Sequence, residues 1–90
     1  MMFNATEKQI NKIVHLVCSD EESKTIRQIY FELPINNATY PDERANYKKA
    51  IMEDKLKGIS LSQASWIIDS LISHRNLDKI VKTFKNLNII

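Results

Sequence analysis

The sequence predicts an all-α domain, an irregular bundle of four to five short helices, on three observations. Gly58 is the only glycine, and Pro34 and Pro41 are the only prolines, in 90 residues. The turn chemistry that sandwiches and barrels of short strands need every few positions is therefore missing. Apolar residues recur instead at helical spacing in five successive segments, and most of these segments open on a residue suited to start a helix.

The first helix opens at Thr6, whose hydroxyl can accept from the free N–H groups of the first turn while Gln9 reaches back, forming a capping box. Ile10, Ile13, Val14 and Val17 give its buried stripe, and the helix runs over about 7–18. Ser19 and Asp20 are candidates to cap the next segment, with Glu21 and Glu22 favoured at a positive helix N-terminus. Its inward residues are Ile26, Ile29, Tyr30 and Leu33. It ends before Pro34, because the residue preceding proline avoids helical dihedrals.

Pro34 to Tyr40 reads as a loop rich in turn formers. Pro41 suits the first turn of a third helix, where its missing N–H is no loss. Tyr47, Ala50, Ile51 and Asp54 continue that helix, and Gly58 is placed for the left-handed conformation that stops one. Ser60 and Gln63 form a second capping box at the head of a helix over about 61–74, with Leu61, Ala64, Ile68, Leu71 and Ile72 inward and Ile67 at the margin. Asn76 breaks that helix and caps a fifth, in which Leu77, Ile80, Val81, Phe84 and Leu87 face the core. No internal repeat is evident beyond the second use of the capping box. The helices over 7–18 and 61–74 are expected to form the central pair.

A chain of this length fits one domain, spanning 1–90, and buries only about 60% of its unfolded surface. That favours a flat or grooved binding surface over a deep catalytic cleft. Cys18 is the only cysteine, so no internal disulfide can form, and a reducing, cytoplasmic setting is expected. No apolar run approaches the roughly 20 residues of a membrane span, and no signal-peptide pattern opens the chain.

Two stretches carry a resemblance. Ala5-Thr6-Glu7-Lys8-Gln9-Ile10 is followed by Ile13, and Ile59-Ser60 by Gln63-Ala64-Ser65, Ile68-Asp69 and Leu71. The pattern resembles a small helical module of phage and bacterial proteins written T-x-K-Q-I-x-x-I … L-S/T-x-x-E-A-S-x-x-I-D-x-L, with Gln63 standing where the module has Glu. Residues from about 20 to 57 are an insertion relative to it. The resemblance implies protein or nucleic-acid binding rather than a reaction, and a phage or mobile-element origin.

The residues themselves point the same way. One glycine cannot build a phosphate-cradling loop. Ser, His and Asp occur, but no nucleophile sits beside an activating base, so no catalytic activity is expected. His15 and Cys18 lie three apart on one helix, yet only His74 and carboxylates remain to complete a metal site, so neither metal nor cofactor is expected.

The binding candidates are Trp66 and a set of cations. On a helical wheel Trp66 points away from Leu61, Ala64, Ile68 and Leu71, among Ser62, Ser70 and Ser73. Either it is an exposed contact residue, for a protein or a nucleobase, or the insertion folds over it. Residues 46–90 carry Lys48, Lys49, Lys55, Lys57, Arg75, Lys79, Lys82 and Lys85 against Glu53, Asp54, Asp69 and Asp78, whereas residues 1–45 are net acidic. Arg75, Lys79, Lys82 and Lys85 form a basic stripe able to follow phosphates, or simply a solvated face.

Two functions fit. One is a small non-catalytic inhibitor or modulator that binds a host nucleic-acid-processing protein, such as a CRISPR-type defence enzyme. The other is an accessory protein that binds nucleic acid through its basic C-terminal helix. A homodimer with Trp66 at its interface is compatible with both.

Overall fold

In a computed structural model, residues 3–35 and 41–90 are described, the side chains of Pro41 and Asp42 excepted. Five helices follow one another: α1 (Glu7–Ser19), α2 (Lys24–Glu32), α3 (Pro41–Leu56), α4 (Leu61–Ser73) and α5 (Leu77–Asn86). Among the described residues there is no strand beyond one isolated bridge between Asn4 and Ser60. None of these helices is long and apolar enough to cross a membrane. The part of the expected loop over 36–40 lies outside the described residues.

The expected central pair forms. α1 and α4 make the most extensive helix–helix contact, with α3 and α2 against α1, and α5 against both α4 and α2. The pair runs parallel and is tied at both ends. At the N-terminal end Ala5 N–H donates to the Ile59 carbonyl at 2.8 Å and Leu61 N–H to the Phe3 carbonyl at 2.9 Å. Thr6 and Gln9 complete the expected capping box. The Gln9 amide then reaches across to the Leu61 carbonyl and the Ser65 hydroxyl, both at 3.3 Å. Ser60 caps α4 through the Gln63 N–H at 3.1 Å.

At the other end His74 Nε2 meets Asp20 Oδ2 at 2.8 Å. His74 is the left-handed stop of α4, with φ of 54°. Asp20 does not cap α2 as expected; Ser23 does, and Asp20 instead accepts from the N–H groups of Glu22 and Ser23 to shape the turn before it. Burial pushes the Asp20 carboxyl up, but the Ser23 N–H, the His74 ring and the Glu22 N–H outweigh it and hold it below its ordinary value. A folded value below the unfolded one stabilises at pH above the unfolded value of about 3.9 and is lost as pH falls through the folded one. The thermal midpoint of Asp20→Ala should therefore lie furthest below that of the parent near neutral pH. The gap should narrow on acidification, and a gap unchanged down to about pH 3 would refute this role.

The core holds the predicted residues of α1, Ile80 and Phe84 of α5, and Ile26, Ile29 and Leu33 of the α2 segment, while Tyr30, Leu77, Val81 and Leu87, also expected inward, are half-buried at its edge. Two helices present a different face from the one expected. In α3 the inward residues are Lys48, Met52 and Leu56, while Ala50 and Asp54 are exposed and Tyr47 and Ile51 half-buried. Apolar residues surround α3 on several sides, so its spacing selects no face, and the aliphatic stem of Lys48 serves as core. In α4 the buried face centres on Ala64, Ile67, Ser70 and Leu71; Leu61 and Ile68 are half-buried and Ile72 is 59% exposed. Ile59 and Ile89, outside the expected stripes, are also sealed in the core.

A repeat that the sequence did not reveal emerges from the backbone. Thr6 and Ser60 take the same cap conformation, φ −77° and ψ 160°. The 54 residues that separate Asp20 from His74 also separate Gln9 from Gln63, and the buried Ile10, Ile13, Val17 and Ile26 from the buried Ala64, Ile67, Leu71 and Ile80. α1–α2 and α4–α5 are thus two versions of one helical hairpin, with α3 between them.

Gly58 also departs from expectation. Among the described residues no glycine has positive φ; His74, Asn76 and Asn88 do. A Cβ built on Gly58 meets nothing within 4 Å. Gly58→Ala should then raise stability by about 0.4–1 kcal/mol by restricting the unfolded chain, seen as a higher urea midpoint with unchanged slope. A lower midpoint would show that the turn needs glycine.

Candidate polyanion interface

α5 is the most strongly two-sided helix of the fold. Ile80 and Phe84 are sealed in the core, Leu77, Val81 and Leu87 line its edge, and Lys79, Lys82 and Lys85 are exposed. Asn76 occupies the cap position as expected, but in a left-handed conformation and with no side-chain cap bond. Arg75 stands in the turn just before it, its N–H donating to the Ser70 carbonyl at 3.0 Å. Its side chain is exposed as well. No carboxylate lies within salt-bridge reach of Arg75, Lys79, Lys82 or Lys85 among the described residues.

Residues three apart on a helix drift by about 60° around its axis and rise about 4.5 Å. The three lysines therefore form a slanted band about 9 Å long rather than a straight row. Asp78, exposed at the head of α5, is the acidic residue on the same helix. At the far end of the band Lys85 turns toward α2, where it shares a groove of about 350 Å³ with Lys24, Thr25, Gln28 and Glu32, floored by Ile29 and Val81.

Trp66 does not stand clear of the fold. It is half-buried and packed against the core. The reason is the rotation of α4: with Ile67 rather than Ile68 pointing most directly inward, its neighbour Trp66 is carried to the core's edge. The large apolar side chain that α4 does present to solvent is Ile72.

A hollow of about 560 Å³ lies between α1 and α3 and includes His15, Cys18, Tyr30, Lys49 and Glu53 in its walls. Burial pushes the Cys18 thiol up, against the opposing pull of Lys49 and Lys48, so it is protonated at neutral pH and a weak nucleophile. Among the described residues no three His, Cys, Asp or Glu side chains are grouped to hold a metal ion. His15 is exposed and His74 is engaged by Asp20.

Among the described residues Lys48 is the one buried charged side chain, 7% exposed. Its ammonium donates to the Tyr30 carbonyl at 2.6 Å and sits 4.4 Å from the centre of the Tyr30 ring. That carbonyl belongs to the last turn of α2, which carries partial negative charge. Burial lowers the Lys48 pKa, with Cys18 acting in the opposite direction. Lys48 thereby pins α3 to the end of α2 and is structural, not part of the exposed basic surface.

Comparisons with known families, with curated proteins and with solved structures return no match.

Proposed function

We propose that this protein is a non-catalytic binder of polyanions, nucleic acid first among them, that docks through the band of Arg75, Lys79, Lys82 and Lys85. The observation that carries this reading is that all four cations are exposed and none is neutralised by a carboxylate of the described chain. Lys79, Lys82 and Lys85 lie on one helix, with Arg75 just before it, at spacings that can meet successive phosphates, and each contact releases condensed counterions. The test is binding of labelled DNA and RNA across a salt series. Affinity should fall steeply as salt rises, and salt-independent binding would count against phosphate contact.

A second reading is favoured by Ile72, exposed on α4. In it the partner is the acidic surface of a nucleic-acid-processing protein, and the chain acts as an inhibitor or modulator of the kind a phage or mobile element encodes against a host defence enzyme. An apolar side chain among polar neighbours suits a protein interface better than a phosphate backbone. Recovery from host lysate before and after nuclease treatment separates the two. Nuclease-sensitive recovery supports the first reading, and a single nuclease-resistant partner lost on Ile72→Asp supports the second.

A further inference from the structure

The solvent face of α2 carries Lys24, Arg27, Gln28 and Phe31 at i, i+3, i+4 and i+7, and all four are exposed. Phe31 is 67% exposed, a large apolar ring left outside a small core. It is held in place by an edge-to-face contact with Tyr30, ring centres 6.1 Å apart and planes at 69°. Neither Lys24 nor Arg27 has a carboxylate partner among the described residues. Of the nearby acids, Glu32 accepts from the Gln28 amide at 3.3 Å, Asp20 is taken by His74, and Glu21 and Glu22 stand exposed before the helix. The groove that Lys24 and Gln28 share with Lys85 joins this face to the band on α5.

Cations at both walls of a groove, with an exposed flat ring on the adjoining face of α2, where it borders a shallow hollow with Arg27 and Tyr30, match one ligand chemistry. A phosphate chain follows the lysines while an unpaired base lies on the ring. A duplex offers the phosphates but keeps its bases stacked inside. We infer that the α2–α5 surface binds single-stranded nucleic acid, with phosphates along Lys24, Lys85 and Lys82 and a base stacked on Phe31. This rests on the polyanion reading above and adds to it the strandedness of the ligand and the residue that senses it.

The test measures anisotropy of labelled thymidine and uridine oligonucleotides of about 15 nucleotides, and of duplexes of the same length, against the full chain. Single strands of either sugar should bind more tightly than duplex. Phe31→Leu keeps an apolar side chain but loses the stacking face, and should weaken single-strand binding about 5- to 100-fold while leaving duplex binding unchanged; Phe31→Tyr should restore it. Because the ring is exposed, both variants should fold, with unchanged circular dichroism and thermal midpoint. Equal affinity for single strand and duplex, with no effect of Phe31→Leu, overturns the inference and leaves the polyanion reading standing. Failure to bind any of the probes at low salt overturns both.

Discussion

Lys48→Ala is expected to cost about 2–4 kcal/mol of stability, whereas Lys48→Met should cost under about 1 kcal/mol. Alanine removes the buried methylenes, each worth about 0.8 kcal/mol, and with them the charged hydrogen bond to Tyr30, worth about 1.5–3 kcal/mol. Relief from burying an ammonium offsets part of that sum. Methionine keeps the stem volume and has no charge to desolvate, and the Tyr30 carbonyl retains the Leu33 N–H at 3.2 Å. Urea unfolding of the two variants decides the matter. If methionine is as damaging as alanine, the ammonium and not its stem holds α3. In a domain whose whole stability is of order 5–15 kcal/mol, the alanine variant should lose a substantial part of its margin against unfolding.

The second large effect concerns binding. Lys79→Glu combined with Lys82→Glu should weaken nucleic-acid affinity about 50- to 100-fold near 0.1 M salt, since counterion release makes each phosphate contact worth nearly a decade there. The slope of log affinity against log salt should become shallower by about two phosphate contacts. Both side chains are exposed and have no carboxylate partner among the described residues, so the thermal midpoint should not fall. Unchanged affinity with an unchanged slope would remove α5 from the interface.

The helices were legible where a cap and a stripe agree. Thr6 with Gln9, and Ser60 ahead of Ala64 and Leu71, locate α1 and α4 because a hydroxyl three residues before an N–H has few other uses. Faces were legible only where one side is clearly apolar, as in α5. In α3 the apolar residues are distributed around the axis and a lysine joins Met52 and Leu56 on the inward face, which hydropathy cannot foresee. In α4 Ile67 and Ile68 are adjacent and equally apolar, so tertiary packing broke the tie, burying Ile67 and drawing Trp66 in with it. The exposure of Lys79, Lys82 and Lys85 was readable from their opposition to Ile80 and Phe84, whereas Arg75 is exposed in the turn before α5 rather than on the helix. Phe31 was not, because an aromatic beside Ile29 and Tyr30 reads as core or strand. The signal that locates it is the second helical stripe, Lys24, Arg27, Gln28 and Phe31, on the polar side of the same helix. The hairpin repeat stayed hidden because packing requires only that apolar positions recur, not that the same residues do.

The parallel pairing of α1 with α4 has a consequence for the order of assembly. Each hairpin closes through contacts between neighbours in the chain, whereas bringing Asp20 to His74 closes a loop of 54 residues. That closure costs on the order of 3.5 kcal/mol in chain entropy, incurred before any contact across the pair can compensate. The two hairpins are therefore early, local structures and their union is the late event. Bonds that exist only across the seam, such as that of Gln9 with Ser65, then act mainly as a brake on unfolding rather than an accelerator of folding.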